Sequence, residues 1–302
     1  MPARERLKLY IASLRLDRWP RSLAILLGFA AVFIIKPELL KSFGVLSLFK
    51  LVLAFLLTWM VSTANYIVNE ITDAPYDAFH PDKRHRPLVK KEIKKQKLII
   101  FWLILVIISF SLAMAFFNLF FLASLSGLLL AGLLYNVPPI RVKDIPYLDS
   151  TLESANNPIR FLIGWYVLAT AFPPWTMLLA WWAFGNFLMV GKRVAEKKFL
   201  TAEESSGYRR SLNKYSSRGL IVFMAANGLL FLVSFFLFGI RFRLQTVYFS
   251  LPLLVGYLAI FMIKSIQDRE AAEEPEKLLR NPFFAIYTLV LAIILALTMI
   301  LK

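Results

Sequence analysis

Apolar residues in this chain fall into long runs separated by short polar stretches. The runs cover about Trp19–Ile35, Leu48–Val68, Leu98–Phe116, Leu119–Leu134, Leu152–Ala171, Trp175–Ala195, Leu220–Phe238, Tyr248–Ile263 and Pro282–Leu301. A helix crosses the hydrocarbon layer with roughly 20 apolar residues, and several runs approach or exceed that length. The pattern predicts an all-α polytopic membrane protein with nine transmembrane helices. The third and fourth runs touch at Asn118, which implies a tight turn, and Pro173-Pro174 separates the fifth from the sixth. Pro138-Pro139 marks an extended loop entry, because proline disfavours helix in the residue before it.

Composition agrees: of 302 residues, 59% are hydrophobic. The net charge of +16 is explained by topology rather than by nucleic acid, for Lys and Arg gather in alternate loops. Lys83, Arg84, Arg86 and Lys90 to Lys97 follow the second run, and Arg141 and Lys143 the fourth. Lys197, Lys198, Arg209, Arg210, Lys214 and Arg218 follow the sixth, and Lys264, Arg269, Lys277 and Arg280 the eighth. The positive-inside rule then puts the N-terminus and the basic loops in the cytoplasm and the C-terminus outside, in a multi-pass protein of the cell (inner) membrane. No cleavable signal peptide is expected, and residues 1–302 read as a single transmembrane domain. With no cysteine there is neither a disulfide nor a thiol nucleophile, and with two histidines there is no multi-histidine metal site. Nothing in the sequence speaks to the oligomeric state.

The chemistry gathers where the second run ends. Asn65, Asn69, Asp73 and Asp77 recur every four residues, which places them within one drifting face of a helix. Pro75 should kink or end that helix near Asp73, leaving Asp77 on the following loop but converging on the same point. Such an oxygen set suits Mg2+, which takes a few carboxylates and shares its other positions with phosphate oxygens. Glu70 is expected to point elsewhere. Lys83, Arg84 and Arg86 follow as a candidate phosphate clamp, Arg in bidentate fashion, with His80 orienting the loop or a phosphate.

Two further groups of polar residues lie at the same membrane edge. One is Tyr135 to Lys143, with Arg141 and Lys143 placed to meet anionic groups and Asp149 opening the fifth run. Asn156, Asn157 and Arg160 then enter an apolar helix, where a buried Arg160 needs a phosphate or carboxylate partner. The other is Lys192, Arg193 and Glu196 at the end of the sixth run, followed by Tyr208 to Tyr215. Between Glu153 and Glu203 the only acid is Glu196, so the second half offers cations rather than another aspartate cluster.

The Asn69-x-x-x-Asp73-x-x-x-Asp77 motif, the Tyr135-Asn-x-Pro-Pro-x-Arg141-x-Lys143 motif and the nine runs together resemble the UbiA prenyltransferase superfamily. The resemblance implies an intramembrane helical bundle with a cavity opening to the cytoplasmic side. It implies that Asn69, Asp73 and Asp77 hold Mg2+ and a diphosphate. Members with prenyl-transferring activity usually carry a second aspartate-rich motif after the sixth span, where this chain has Lys192-Arg193-x-x-Glu196. The segments His80-Pro-x-Lys83-Arg84-x-Arg86-Pro87, Gly191-Lys192-Arg193-x-Ala-Glu196 and Arg210-Ser-Leu-x-x-Tyr215 look instead like the decaprenyl-phosphate phosphoribosyltransferase branch.

That branch implies attack of a polyprenyl phosphate on the anomeric carbon of phosphoribosyl pyrophosphate. The expected catalytic residues are Asp73, Asp77 and Lys143. The expected substrate-binding residues are Lys83, Arg84, Arg86, Tyr135, Arg141, Asp149, Arg160, Lys192, Arg193 and Glu196. The expected partners are a polyprenyl lipid and a phosphorylated small molecule. The alternative on the same fold is transfer of a polyprenyl group from its diphosphate to an aromatic or lipid acceptor. A carrier for anionic solutes is disfavoured, because the acids sit at span ends and none lies in mid-membrane.

Overall fold

A computed structural model describes residues 3–78, 83–199, 210–244, 247–267 and 275–300. His80, Tyr208 and Arg209 lie outside the described residues, as do the side chains of Lys83 and Arg210. The described elements are all helical: α1 Ala3–Ser13, α2 Ile25–Ile35, α3 Val45–Asp77, α4 Lys95–Phe116, α5 Leu119–Asn136, α6 Leu148–Trp165, α7 Trp175–Phe199, α8 Arg210–Lys214, α9 Ser217–Arg241, α10 Val247–Gln267 and α11 Pro282–Ile300.

A helix stands in each of the predicted runs, with shifted boundaries. The first run opens with a 310 stretch, Leu16–Ala24, before α2; Pro20 within it has no N–H to give an α-helical ladder. The fifth run ends at Trp165 rather than Ala171, where the Trp165 indole N–H donates to the Ala171 carbonyl at 2.7 Å and fixes a turn. The helix α3 runs through Pro75 to Asp77, so the expected break near Asp73 does not occur. Pro75 stands so near the end of α3 that little of the helix lies beyond the missing donor.

Among the described residues, six helical segments are long and apolar enough to cross a membrane: Arg4–Ile35, Val45–Asp77, Lys95–Phe116, Leu119–Asn136, Ser217–Arg241 and Val247–Gln267. The apolar part of α11, Pro282–Leu295, is shorter. The helix α6 carries Asp149, Glu153, Asn156, Asn157 and Arg160, and α7 carries Lys192, Arg193, Glu196, Lys197 and Lys198. The long apolar helices turn much of their hydrocarbon outward. Ile100, Leu103, Ile104 and Ile107 of α4 are exposed, as are Val45, Leu46, Leu48, Phe49 and Val52 of α3. Faces of that length suit lipid and not water, and they mark a multi-pass membrane protein. Several buried hydroxyls are satisfied within their own helices, as where Thr58 donates to the Ala54 carbonyl at 2.7 Å.

The chain divides into two compact units: residues 1–152, 159–172 and 207–209, and residues 153–158, 173–206 and 210–302. In the first, α3 packs on α4 and α5. Ala54, Leu57, Val61, Ala64 and Ile67 of α3 are buried at three- and four-residue steps, the spacing of one helical stripe. Gly28 of α2 and Gly164 of α6 meet backbone to backbone. A Cβ on Gly28 would stand 1.9 Å from the Phe161 carbonyl oxygen, and one on Gly164 would stand 1.9 Å from that of Ile25. The α4–α5 turn forms at Asn118, whose side chain accepts from the Phe121 N–H at 2.9 Å and donates to the Tyr166 carbonyl at 3.1 Å.

In the second unit, α7 packs on α9 and α10, and α10 on α11. Asn186 of α7 donates to Asn227 of α9 at 2.9 Å, a buried polar link between two apolar helices.

Candidate functional site

The polar ladder of α3 separates into three environments along the helix. Four residues turn a side chain about 40° past a full circle, so Asp77 has swung well away from Asn69. Asn65 is a packing residue. Its amide donates to the Leu128 carbonyl of α5 at 2.8 Å, in space left by Gly132.

Asn69 and Asp73 meet the loop that follows α5. The helix stops at Asn136, and the chain turns back through Arg141, which adopts a left-handed conformation (φ 32°). Arg141 and Lys143 are both buried and both reach Asp73. Arg141 bonds the Asp73 carboxylate at 3.0 Å, the Asp144 carboxylate at 3.0 Å and the Thr72 carbonyl at 3.2 Å. Its guanidinium also lies over the Tyr76 ring, 4.2 Å from the centroid. The Lys143 ammonium is ringed by oxygens from three side chains: the Asp73 carboxylate, Asn69 Oδ1 at 3.2 Å and Asn136 Oδ1 at 2.9 Å. The Tyr135 ring centroid is 5.9 Å from the same ammonium.

Asp77 belongs to another group. It is 1% exposed and its carboxylate pairs with Arg86, which also contacts Glu70 at 3.2 Å. The expectation that Asp77 converges with Asp73 on one point is therefore corrected, and Glu70, which does point away from Asn69 and Asp73, shares Arg86 with Asp77. Both follow from α3 remaining helical, since Glu70 and Asp77, seven residues apart, differ by only about 20° around the axis. Arg84 is exposed and donates to His85 at 3.3 Å rather than to an acid.

Asp149 is buried in the first turn of α6, where Oδ1 accepts from the Ser150 N–H at 2.7 Å. Arg160, farther along α6, donates to the Ser62 hydroxyl at 3.4 Å. In the second unit, Arg193 is fully buried and forked between two carboxylates, Glu153 at 2.7 Å and Glu196 at 2.7 Å, while Lys192 is half-buried. Glu153 stands forty residues before Arg193 in the chain, and no sequence spacing joins them.

Asn136 is the residue of the first cluster that motif reading passed over. It lies inside the Tyr135-Asn136-x-Pro motif, and its position as the last residue of α5 aims its amide at the loop. Among the described residues no three acidic or histidine side chains gather as a metal cage. Asn69, Asp73 and Asn136 nevertheless turn oxygens toward Lys143, and that oxygen set already holds a positive charge. That donor chemistry fits Mg2+, a hard cation that prefers carboxylate and carbonyl oxygen.

The first cluster is close to neutral, with Arg141 and Lys143 set against Asp73 and Asp144. Mg2+ alone would leave it strongly positive, and a diphosphate ester alone strongly negative. Together they would nearly cancel, so the charge of the cluster suits the two jointly.

No curated protein matches the sequence. Among solved structures, a UbiA homologue from Archaeoglobus fulgidus bound to GPP and Mg2+ is similar with a TM-score of 0.67 and 18% identity, covering 96% of this chain and 99% of that one. The same homologue bound to DMAPP and Mg2+ gives a TM-score of 0.65 and 17% identity, over 95% of this chain and 98% of that one. The apo UbiA homologue from Aeropyrum pernix K1 gives a TM-score of 0.64 and 14% identity, over 95% and 98%. At these identities the likeness is one of fold. The sequence itself matches the UbiA prenyltransferase family across residues 26–287, and the chain belongs to that family.

Proposed function

We propose that the protein is a Mg2+-dependent intramembrane transferase that moves a group from a diphosphate donor, and that the group is phosphoribosyl, taken from phosphoribosyl pyrophosphate by a polyprenyl phosphate. The observation that carries the donor site is the ring of Asn69, Asp73 and Asn136 oxygens around the Lys143 ammonium. Asn69 and Asp73 would hold the metal, with Asn136 as a further oxygen. When bound, Mg2+ would neutralise charge on the leaving pyrophosphate.

The chain's own cations then have separable tasks. Lys143, displaced from the oxygen ring, would bond a donor phosphate, and Arg141 would keep Asp73 oriented. Arg86 would exchange Asp77 and Glu70 for a phosphate oxygen, which charge-assisted bidentate pairing favours. In the reaction a phosphate oxygen of the lipid forms a bond to the anomeric carbon, and the bond from that carbon to the pyrophosphate breaks. Pyrophosphate departs with the electron pair. The ribosyl assignment is supported by the His80–Pro87 and Gly191–Glu196 sequence patterns, and the roles of Lys83, Lys192, Arg193 and Glu196 rest on those patterns.

A second reading, transfer of a prenyl group from its diphosphate, is favoured by the Archaeoglobus fulgidus homologue, whose structures contain GPP or DMAPP with Mg2+. Purified protein supplied with Mg2+, a polyprenyl phosphate and either ribose-labelled phosphoribosyl pyrophosphate or labelled prenyl diphosphate separates the two. Label from the ribosyl donor should appear in the lipid. Transfer from the prenyl donor alone would replace the first reading with the second.

A further inference from the structure

Deeper along α3, two turns before Asn69, lies a group of cations that the donor site does not use. Ser62 precedes Asn69 by seven residues and so falls on the same face, about 10 Å farther along the axis. There Arg160 of α6, 9% exposed, donates to Ser62 Oγ at 3.4 Å. Its Nε is buried without a partner. Among the described residues, the charged and ionisable groups acting on Arg160 are the Tyr66 hydroxyl and a second cation, Arg21, with no carboxylate among them. Arg21 in turn donates to the Tyr66 hydroxyl at 3.4 Å. Arg15 lies 5.9 Å from the Tyr66 ring centroid. Two guanidiniums thus lie against the Tyr66 phenol, and Arg160 is near enough to feel its charge, all within the first compact unit.

The buried guanidiniums already described, Arg141 and Arg193, each face two carboxylates. Arg160 faces a hydroxyl, a phenol and another cation. A charged side chain at membrane depth costs several kcal/mol unless an opposite charge accompanies it. A guanidinium offers its donors as a planar fork that fits a phosphate or carboxylate.

We propose that Arg160, with Ser62, Tyr66 and Arg21, forms a second anion subsite that receives an oxyanion carried by the acceptor substrate. This rests on the reading of Asn69 and Asp73 as the donor site. The diphosphate group of a donor held there is too short to reach Arg160 as well; if the donor's 5-phosphate were the occupant, ribose 5-phosphate would bind wild type more tightly than farnesyl monophosphate, which would overturn the acceptor assignment. Bilayer headgroups stay at the surface, whereas Ser62 is about 16 Å along α3 from Asp73. The acceptor is therefore an amphiphile with one phosphate or carboxylate, and Arg160 sets which end of it faces the donor.

Binding measured in metal-free buffer tests this apart from turnover. The probes are farnesyl monophosphate, farnesol, benzoate, ribose 5-phosphate and inorganic phosphate, added to wild type, Arg160→Gln, Arg160→Lys and Asp73→Asn. The monophosphate or benzoate should bind wild type, with affinity weakened roughly tenfold or more in Arg160→Gln and less in Arg160→Lys. Whichever of the two binds more tightly identifies the oxyanion. Should Arg160→Gln not fold, Arg160→Lys and Ser62→Ala carry the same comparison. Equal affinity in wild type and the Arg160 variants, or farnesol binding as tightly as its phosphate, would overturn the subsite. Inorganic phosphate binding as tightly as the ester would mean an adventitious ion only, and would overturn the acceptor assignment. Asp73→Asn should keep the monophosphate and, in a separate titration with Mg2+ present, lose binding of phosphoribosyl pyrophosphate, the Mg2+–diphosphate probe. If it retains Mg2+–diphosphate, the donor reading fails while the Arg160 result stands separately.

Discussion

Asp73 is held by two cations at once, and this decides how its neighbours should respond to substitution. Asn136 supplies one oxygen of the ring around Lys143, so Asn136→Ala should lower turnover about tenfold or more while the protein stays folded, in line with the effect of losing a supporting ligand-shell group. A pyrophosphate-release assay beside a melting curve checks this, and unchanged turnover would remove Asn136 from the site. The ladder itself was legible from spacing alone, and Asp73 and Asn69 do meet the Tyr135–Lys143 loop. The grouping of Asp77 with Glu70 was not, because it depends on α3 continuing past Pro75 rather than ending there. Asn136 was hidden for a different reason. An asparagine beside a tyrosine and two prolines reads as turn chemistry until the end of the helix is seen to aim it.

The helices expose a second kind of dependence, on closeness of approach. Gly28 and Gly164 each leave no room for a Cβ beside the opposing backbone, and backbone cannot swing aside as a side chain can. Gly28→Leu or Gly164→Leu should therefore destabilise the first unit by about 3 kcal/mol, the upper range for forcing volume into a packed contact. Thermal unfolding in detergent should show a lower melting temperature for each. No loss would mean that α2 and α6 do not cross as described. The nine apolar runs were each occupied by a helix, so element type was readable from hydrophobicity. The glycine contact was not, since nothing in Gly28 or Gly164 names its partner. The same holds for Arg193, whose second carboxylate comes from Glu153. Arg193→Gln should cost about 3 kcal/mol by removing the buried cation that the two acids share. Adding Glu153→Gln and Glu196→Gln should recover much of it, and a triple variant as unstable as the single one would contradict the pairing.

For the molecule as a whole, charge distribution predicts how it lies in the membrane. The chain has no cysteine, so single cysteines report sidedness without background. A cysteine at Lys90 or Lys264 should react with an impermeant thiol reagent only from the cytoplasmic side, and one at Lys36 or Arg243 only from the outside. Labelling of all four from one side would refute the expected orientation and the nine crossings with it. The central claim, that the Asn69–Asp73 face binds a metal–diphosphate donor, is tested most directly by pyrophosphate release from purified protein. Wild type and Asp73→Asn are compared with Mg2+, donor and polyprenyl phosphate present, after both are shown to be folded. Wild type should release pyrophosphate only when Mg2+ and both substrates are supplied, and Asp73→Asn should release none. An Asp73→Asn protein as active as wild type would contradict the account.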